Sequence, residues 1–373
     1  IHQAFNLGRL AGIKQLGYLY PPINEGEETY VTTLEFPHHR LTHMFDVRAI
    51  GKLILSNNGI LPDTPQGKRD HVLNDTAGLT HDVRTQAGGD STKAIDPYEF
   101  DEDRHYYKTL ELIDRSNLPE LTPEIMEQLP ETILNRGKIG AILDIADKIA
   151  YLCRDLEAFS GYTRTDEAKL WINEVIKSDP LVCSIWETVR VDGEMVYFND
   201  KARLIKWLEL RCLMFKHLYQ NPRARFWEQF VKTIVSKTLY ETGQLTATQL
   251  RSMTDLDLQE LLWKEVGMGF PGIIWGTFKE KREAFNSHQE AIQRQEQLRS
   301  EGFAISMIEE SFQNLKTGDH FLVKTRKGIL PLRDTDPYIS AHLRSLIQPE
   351  NKFTLYYLNV PREELPPKLQ NWT

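Results

Sequence analysis

Apolar residues recur at helical spacing through most of the first 266 residues. Leu41, Met44, Phe45, Ile50, Leu53 and Ile54 predict a buried helix entered at Pro37. Ile142, Ile145, Ile149, Leu152 and Leu156 predict another, on which Asp144, Asp147, Tyr151 and Asp155 form a polar stripe three or four residues apart. Thr122-Pro123-Glu124 signals a helix start within 118–129. A long helix over 202–220, closed by Asn221-Pro222, places Arg211, Phe215 and Tyr219 on one face. Residues 57–69 read as a polar connection before a helix ending in His81-Asp82. Amphipathic helices are expected over 225–241 and 247–266. Strand signals are few here: a β-prone patch at Tyr30–Leu34 and a hairpin about Asp192-Gly193. The tail differs. Residues 279–302 read as a solvated helix, and 321–324, 328–332 and 353–358 as strands. The expected fold is mainly α, with a helical domain over 1–280 and a small C-terminal α+β appendage over 281–373.

Several polar residues fall where this pattern calls for apolar ones. His43 lies among the buried positions of its helix, with Arg40 one turn earlier on the same side. Of the 11 histidines, His81 alone is followed directly by Asp. His81 and Asp82 offer one imidazole nitrogen and one carboxylate oxygen to a single cation, and Asp147 and His43 supply two more donors. This mixed set suits Mn, Fe or Mg, and Zn less well. Taken alone, the Asp147 stripe also reads as a solvated helix face, and His43 as a hydrogen-bonded core histidine.

The order His, His-Asp, Asp on separate helical segments resembles that of the HD phosphohydrolases. Asp147-Lys148-x-x-Tyr151-x-x-x-Asp155 resembles a stretch of the deoxynucleoside triphosphate triphosphohydrolases of that superfamily. There it carries a metal aspartate, a phosphate-binding lysine, a sugar-stacking tyrosine and an aspartate for the 3′-hydroxyl. Arg40-Leu41-Thr42-His43 is similar to their Arg-x-x-His motif, in which Arg meets phosphate and His meets metal. Ile13-Lys14-Gln15-Leu16-Gly17 is similar to the segment whose Gln and Leu lie against the deoxyribose. Arg211 through Tyr219 and Gln220 resembles a helix that closes over the triphosphate and sugar. The resemblance implies a metal site of His43, His81, Asp82 and Asp147. It implies substrate contacts at Gln15, Leu16, Arg40, Lys148, Tyr151, Asp155, Arg211, Tyr219 and Gln220. The expected reaction is hydrolysis of a deoxynucleotide to deoxynucleoside and tripolyphosphate.

One segment departs from the family pattern. After His-Asp the family continues with Gly-His, Pro-Phe and a second His beside an acid. Here the chain reads Val83-Arg84-Thr85-Gln86-Ala87-Gly88-Gly89-Asp90, with no histidine between His81 and His105. The histidine that assists the leaving group is therefore absent, and Asp90 and Glu102 are the candidates to replace it. A carboxyl acts as an acid near neutral pH only when burial or a like charge raises its pKa. Gly88-Gly89 reads either as a loop or as a phosphate cradle. The altered segment also leaves open another nucleotide phosphoester as substrate, or a nucleotide sensor without turnover.

Composition adds bounds. With 373 residues, 26% charged and 40% hydrophobic, the chain is an ordinary globular sequence with ample core. Its 53 acidic residues against 45 basic ones disfavour nucleic acid as the main partner, while allowing a local basic pocket. Three cysteines without metal-ligand spacing fit a reducing cytoplasm. No apolar run is long enough to span a bilayer. The C-terminal part is expected to serve contacts in a homo-oligomer.

Overall fold

The computed structural model describes residues 7–13, 38–93, 95–102, 104–116, 118–162, 182–220, 225, 229, 232–233, 235–266, 280–303, 306–310, 317–347, 352–358, 360–365 and 367–370. Gln15, Leu16, the Tyr30–Leu34 patch and Pro37 lie outside these residues. The described chain is mainly helical with small sheets, as the apolar pattern predicts. Among the described residues, no helix is long and apolar enough to cross a membrane.

The helices that build the centre are α1 (Arg40–Asn57), α2 (Pro65–Gly78), the single turn α3 (Asp90–Lys93), α4 (Tyr106–Arg115), α5 (Pro123–Ile133), α6 (Gly137–Tyr162) and α7 (Lys201–Met214). α6 is the axis of the main core. Its Ile142, Ala146, Ile149 and Leu152 are buried with Met44, Val47 and Ile54 of α1, Leu73 and Ala77 of α2, and Leu204, Trp207 and Leu208 of α7. Removing these stripes from water is the main force that gathers the helices.

Local chemistry sets the boundaries. Thr64 Oγ1 accepts the Gly67 N–H at 3.0 Å, with Pro65 in the first turn, so α2 begins within the stretch expected to be a connection. It ends at Gly78. His81 and Asp82 therefore sit in the turns just beyond the helix, which are closed by Thr80 N to Ala77 O and Val83 N to Thr80 O, both 3.1 Å. The helix expected over 202–220 is α-helical only to Met214 and then widens into a π-helical turn, Phe215–Tyr219. The 247–266 helix is two helices, α8 (Ala247–Ser252) and α9 (Asp255–Val266). The second restarts where Thr254 and Asp257 exchange hydrogen bonds, including Thr254 N to Asp257 Oδ2 at 2.7 Å.

The strands are β1 (Val189–Asp192), β2 (Met195–Phe198), β3 (Glu280–Phe285), β4 (Ser306–Glu310), β5 (Leu322–Thr325), β6 (Gly328–Pro331) and β7 (Phe353–Leu358). β1 and β2 form the expected Asp-Gly hairpin, with Gly193 at φ 59°. That hairpin continues through β2 to β5 and β6, with Phe198 paired parallel to Val323. The other sheet is antiparallel, β3-β7-β4. Residues 280–285, expected as part of a solvated helix, are strand because they pair along their whole length with β7. The helix there is α10 (His288–Ser300), capped by Ser287. Phe321, Val323, Leu332, Leu343 and Ile347 of the C-terminal part belong to the same core as α6 and α7. Phe321 meets Phe198 and Trp207 with ring centroids 5.6 and 6.0 Å apart.

Two glycines let α1 and α2 approach closely. A Cβ on Gly51 would stand 1.8 Å from Asn74 Oδ1, and one on Gly78 would stand 3.0 Å from the Arg48 Cα. Asn74 is fully buried and its Nδ2 donates to Arg48 O at 3.1 Å, so it has little room to yield. This antiparallel contact fixes the spacing between His43 near the start of α1 and His81 just past the end of α2. Gly51→Ala is expected to lower unfolding free energy by about 1–3 kcal/mol through overpacking. Urea denaturation of the purified variant checks this; an unchanged midpoint would mean that the contact relaxes freely.

Candidate metal centre

Three segments bring four donor atoms together. His43 Nε2 of α1 lies 2.9 Å from Asp147 Oδ1 of α6, 3.4 Å from His81 Nε2 and 3.8 Å from Asp82 Oδ2. His81 Nε2 lies 3.7 Å from Asp82 Oδ2 and 3.8 Å from Asp147 Oδ1. Six-coordinate divalent ions with bonds of about 2.1 Å have adjacent ligands about 3 Å apart. The set is close to that spacing. His81, Asp82 and His43 form a group able to hold a cation among the described residues.

The donor chemistry fits a divalent ion. Two carboxylates supply two negative charges and two imidazoles supply neutral nitrogens. His81 Nδ1 lies 3.1 Å from Gly78 O, which places its proton there and leaves the Nε2 lone pair directed at the cluster. His43 Nδ1 is buried without a hydrogen-bond partner. In this arrangement the His43 proton sits on Nε2, toward Asp147; an ion would move it to Nδ1.

Charges around the cluster are arranged to keep it ionised. Burial favours the neutral acid at Asp82, yet Arg40, His81 and His43 hold its carboxyl well below the usual range. Burial opposes ionisation of Asp147 too, and the His43 hydrogen bond and charge outweigh it, with help from His81 and Lys148. Arg40 Nη1 donates to Asp82 Oδ2 at 2.7 Å, and its Nη2 lies 3.5 Å from Asp90 Oδ2. A carboxylate oxygen has two lone pairs, so Asp82 Oδ2 can serve Arg40 and an ion together.

The segment after Asp82 is tightly tied. Arg9 donates to Thr85 O at 2.8 Å and to Met253 O at 3.1 Å, and Ala87 N donates to Leu250 O at 3.0 Å. Gly88 N donates to the buried Asp255 Oδ1 at 2.7 Å and Gly89 N to Gln86 O at 3.0 Å, so this is a loop rather than a phosphate cradle. The two candidate acids differ. Asp90 is mostly exposed, at 69% of its side chain. Glu102 accepts from Thr85 Oγ1 at 3.0 Å and has Lys93 Nζ at 3.9 Å. Burial and the Asp82 carboxylate push Glu102 up to about 7, against Lys93, Arg40 and the Thr85 hydrogen bond.

Beyond Asp147, α6 carries Lys148, Tyr151 and Asp155. Lys148 is ion-paired with Asp144 one turn back. Arg211 Nε donates to Tyr151 OH at 2.8 Å, and Tyr219 OH donates to Asp155 Oδ2 at 2.7 Å. Burial and the Asp155 carboxylate keep the Tyr219 hydroxyl well above its ordinary pKa, so it remains a donor. Gln220 follows the π-turn directly, its N–H donating to Phe215 O at 2.7 Å. The other oxygen of Asp155 lies 2.6 Å from Nδ1 of His38, and both side chains are buried. His38 was not among the residues singled out from sequence. It precedes α1, where helical spacing carries no information, and its only signal is its place two residues before Arg40.

No protein-family model and no curated protein matches this chain. Solved structures do. A hypothetical protein from Aquifex aeolicus aligns at 17% identity with a TM-score of 0.61, covering 99% of this chain and 93% of that one. A phosphohydrolase from Bacteroides thetaiotaomicron aligns at 14% identity with a TM-score of 0.63, covering 96% and 94%. At these identities the likeness is one of fold: the chain is built on the fold of a protein named a phosphohydrolase.

Proposed function

We propose that this protein is a metal-dependent phosphohydrolase that cleaves deoxynucleoside triphosphates to deoxynucleoside and tripolyphosphate. The observation that carries the reading is His43 Nε2 within 2.9–3.8 Å of His81 Nε2, Asp82 Oδ2 and Asp147 Oδ1. A divalent ion held there would polarise a phosphoryl group and acidify water. The fold shared with a protein named a phosphohydrolase supports the same reaction class.

The residues around the cluster then divide by chemistry. Arg40, Lys148 and Arg211 are the cations available to a triphosphate, the two arginines with forked donors suited to phosphate oxygens. Tyr151, Asp155, Tyr219 and Gln220 form the sugar side, with Gln15 and Leu16 assigned there by resemblance alone. Glu102 is assigned as the proton donor to the leaving 5′-oxygen, because burial and the Asp82 carboxylate raise its carboxyl to about 7, where it can give up a proton near neutral pH. Asp90 braces Arg40. The soluble substrate and cytoplasmic setting remain part of this proposal, as does assembly into a homo-oligomer.

Incubation with each dNTP and Mn or Mg, followed by chromatography, is expected to yield tripolyphosphate. Orthophosphate or another product would indicate a different phosphoester reaction, and binding without turnover would indicate a sensor. Elemental analysis is expected to find bound metal in the wild type and almost none in His81→Ala or Asp147→Ala. Full occupancy in either variant would rule out the assigned site.

Glu102→Gln should lower kcat on dNTPs by roughly 100-fold or more. An acid works only while protonated, so wild-type activity is expected to fall as pH rises through about 7. A bound cation lowers that value, placing the alkaline limb at or below it. The variant should lack this limb. An unchanged pH profile in Glu102→Gln would assign the proton to another group.

A further inference from the structure

The C-terminal part of the chain reaches α6 and α7 through one turn, residues 317–321. Gly318 takes φ 83°, and a Cβ there would stand 2.5 Å from Leu208 Cδ2. The turn is thus pressed onto α7 one helical turn before Arg211. It is held further by Arg333 N to Asp319 O and Leu332 N to Phe321 O, both 2.9 Å, and by burial of Phe321 in the main core. A turn fastened this way cannot swing far from α7.

His320 is the exposed residue on that turn. Its ring lies over Phe321 with centroids 4.6 Å apart and a 32° tilt, and Lys148 Nζ stands 5.8 Å from the centre of the same Phe321 ring. The imidazole and the Lys148 ammonium thus share one buried aromatic ring as neighbour. Its ring nitrogens have no hydrogen-bond partner among the described residues. Burial lowers its pKa, with Lys148 of α6 and Arg211 of α7 acting in the same direction, against Asp144 of α6 and Asp319 of its own turn. The turn thus sets His320 between α6, through the ring it shares with Lys148, and α7, one helical turn before Arg211, with Asp144 as the carboxylate paired to Lys148.

We propose that His320 is a substrate-binding residue which, with Lys148 and Arg211, takes the outer phosphates of a polyphosphate chain. That the anion is the tail of a nucleotide rests on the phosphohydrolase reading above; that the site takes a polyphosphate does not. A bound polyanion adds negative charge that opposes the effect of burial on the imidazole, so binding favours proton uptake at His320 and gains a charge-assisted hydrogen bond. The C-terminal segment then completes the site as well as the core.

Calorimetry on the full chain stripped of metal, with inorganic tripolyphosphate and orthophosphate as probes, tests this without turnover. His320→Ala is expected to weaken tripolyphosphate binding roughly tenfold and orthophosphate binding by about twofold or less. His320→Lys, which keeps a cation, should restore tripolyphosphate affinity. Titrations in two buffers of different ionisation enthalpy should show proton uptake in the wild type that His320→Ala reduces. Equal losses for the two probes, no loss, or no tripolyphosphate binding by the wild type would each overturn the proposal. A chain that binds tripolyphosphate through His320 yet hydrolyses no dNTP would overturn the hydrolase reading and leave this one standing.

Discussion

Two carboxylates and two imidazoles converge on one point beneath a largely buried surface, and that concentration of charge is the constraint on which the rest depends. Buried carboxylates cost free energy unless positive charge lies close by. Arg40 supplies part of it through a 2.7 Å bond to Asp82, and is itself buried enough to need that partner. Burial opposes the Arg40 charge, but Asp82, Asp90 and Glu102 together push its pKa up. The convergence also requires α1, α2 and α6 to hold their positions closely. Gly51 and Gly78 supply the α1–α2 contact without a side chain between, and the apolar stripe of α6 fixes Asp147 opposite His43.

Much of this arrangement was legible because its carriers sit on regular helices. His43 and the Asp147 stripe show helical spacing, and His81-Asp82 stands out as a dipeptide whatever its conformation. The less legible parts depend on contacts between segments distant in sequence. Glu280–Phe285 has the polar composition of a solvated helix and becomes strand only because β7 is there to pair with it. The π-turn at Phe215–Tyr219 leaves no mark on apolar periodicity, yet it decides where the Tyr219 hydroxyl points. His38 and His320 lie outside any repeating pattern. Their neighbours, Asp155 and Phe321 beside Lys148, are supplied by the fold alone.

The segment after Asp82 shows how backbone ties can hold a carboxyl beside the charged cluster. Its hydrogen bonds to Arg9, Leu250 and Asp255 tie the turn to distant elements and hold Thr85 in place. Thr85 in turn holds Glu102, which comes from the far end of the same stretch. Preorganisation of this kind matters because a donor displaced by about 1 Å can lose roughly 100-fold in rate. A carboxyl near the Asp82 charge is raised by the same repulsion that would make it costly elsewhere. The electrostatic stress of the cluster thus tunes its neighbour.

Asp155 raises a separate question of access. A carboxylate offers about four lone-pair positions, and here one oxygen faces His38 and the other accepts from Tyr219. Its side chain is wholly buried. A sugar hydroxyl that is to reach Asp155 therefore has to displace one of these partners or the atoms covering them. His38 is buried on the side of the charged cluster, its ring 5.9 Å from that of His43. Tyr219 ends a π-turn, where backbone hydrogen bonding is less regular than in the preceding helix. Tyr219 is the partner that can leave at lower cost, so under the proposed function Asp155 would engage a sugar hydroxyl by exchange with a phenol. A group that entered the site without replacing that hydrogen bond would leave Asp155 unsatisfied, and under the proposed function that penalty would select for sugars bearing a hydroxyl at the right place.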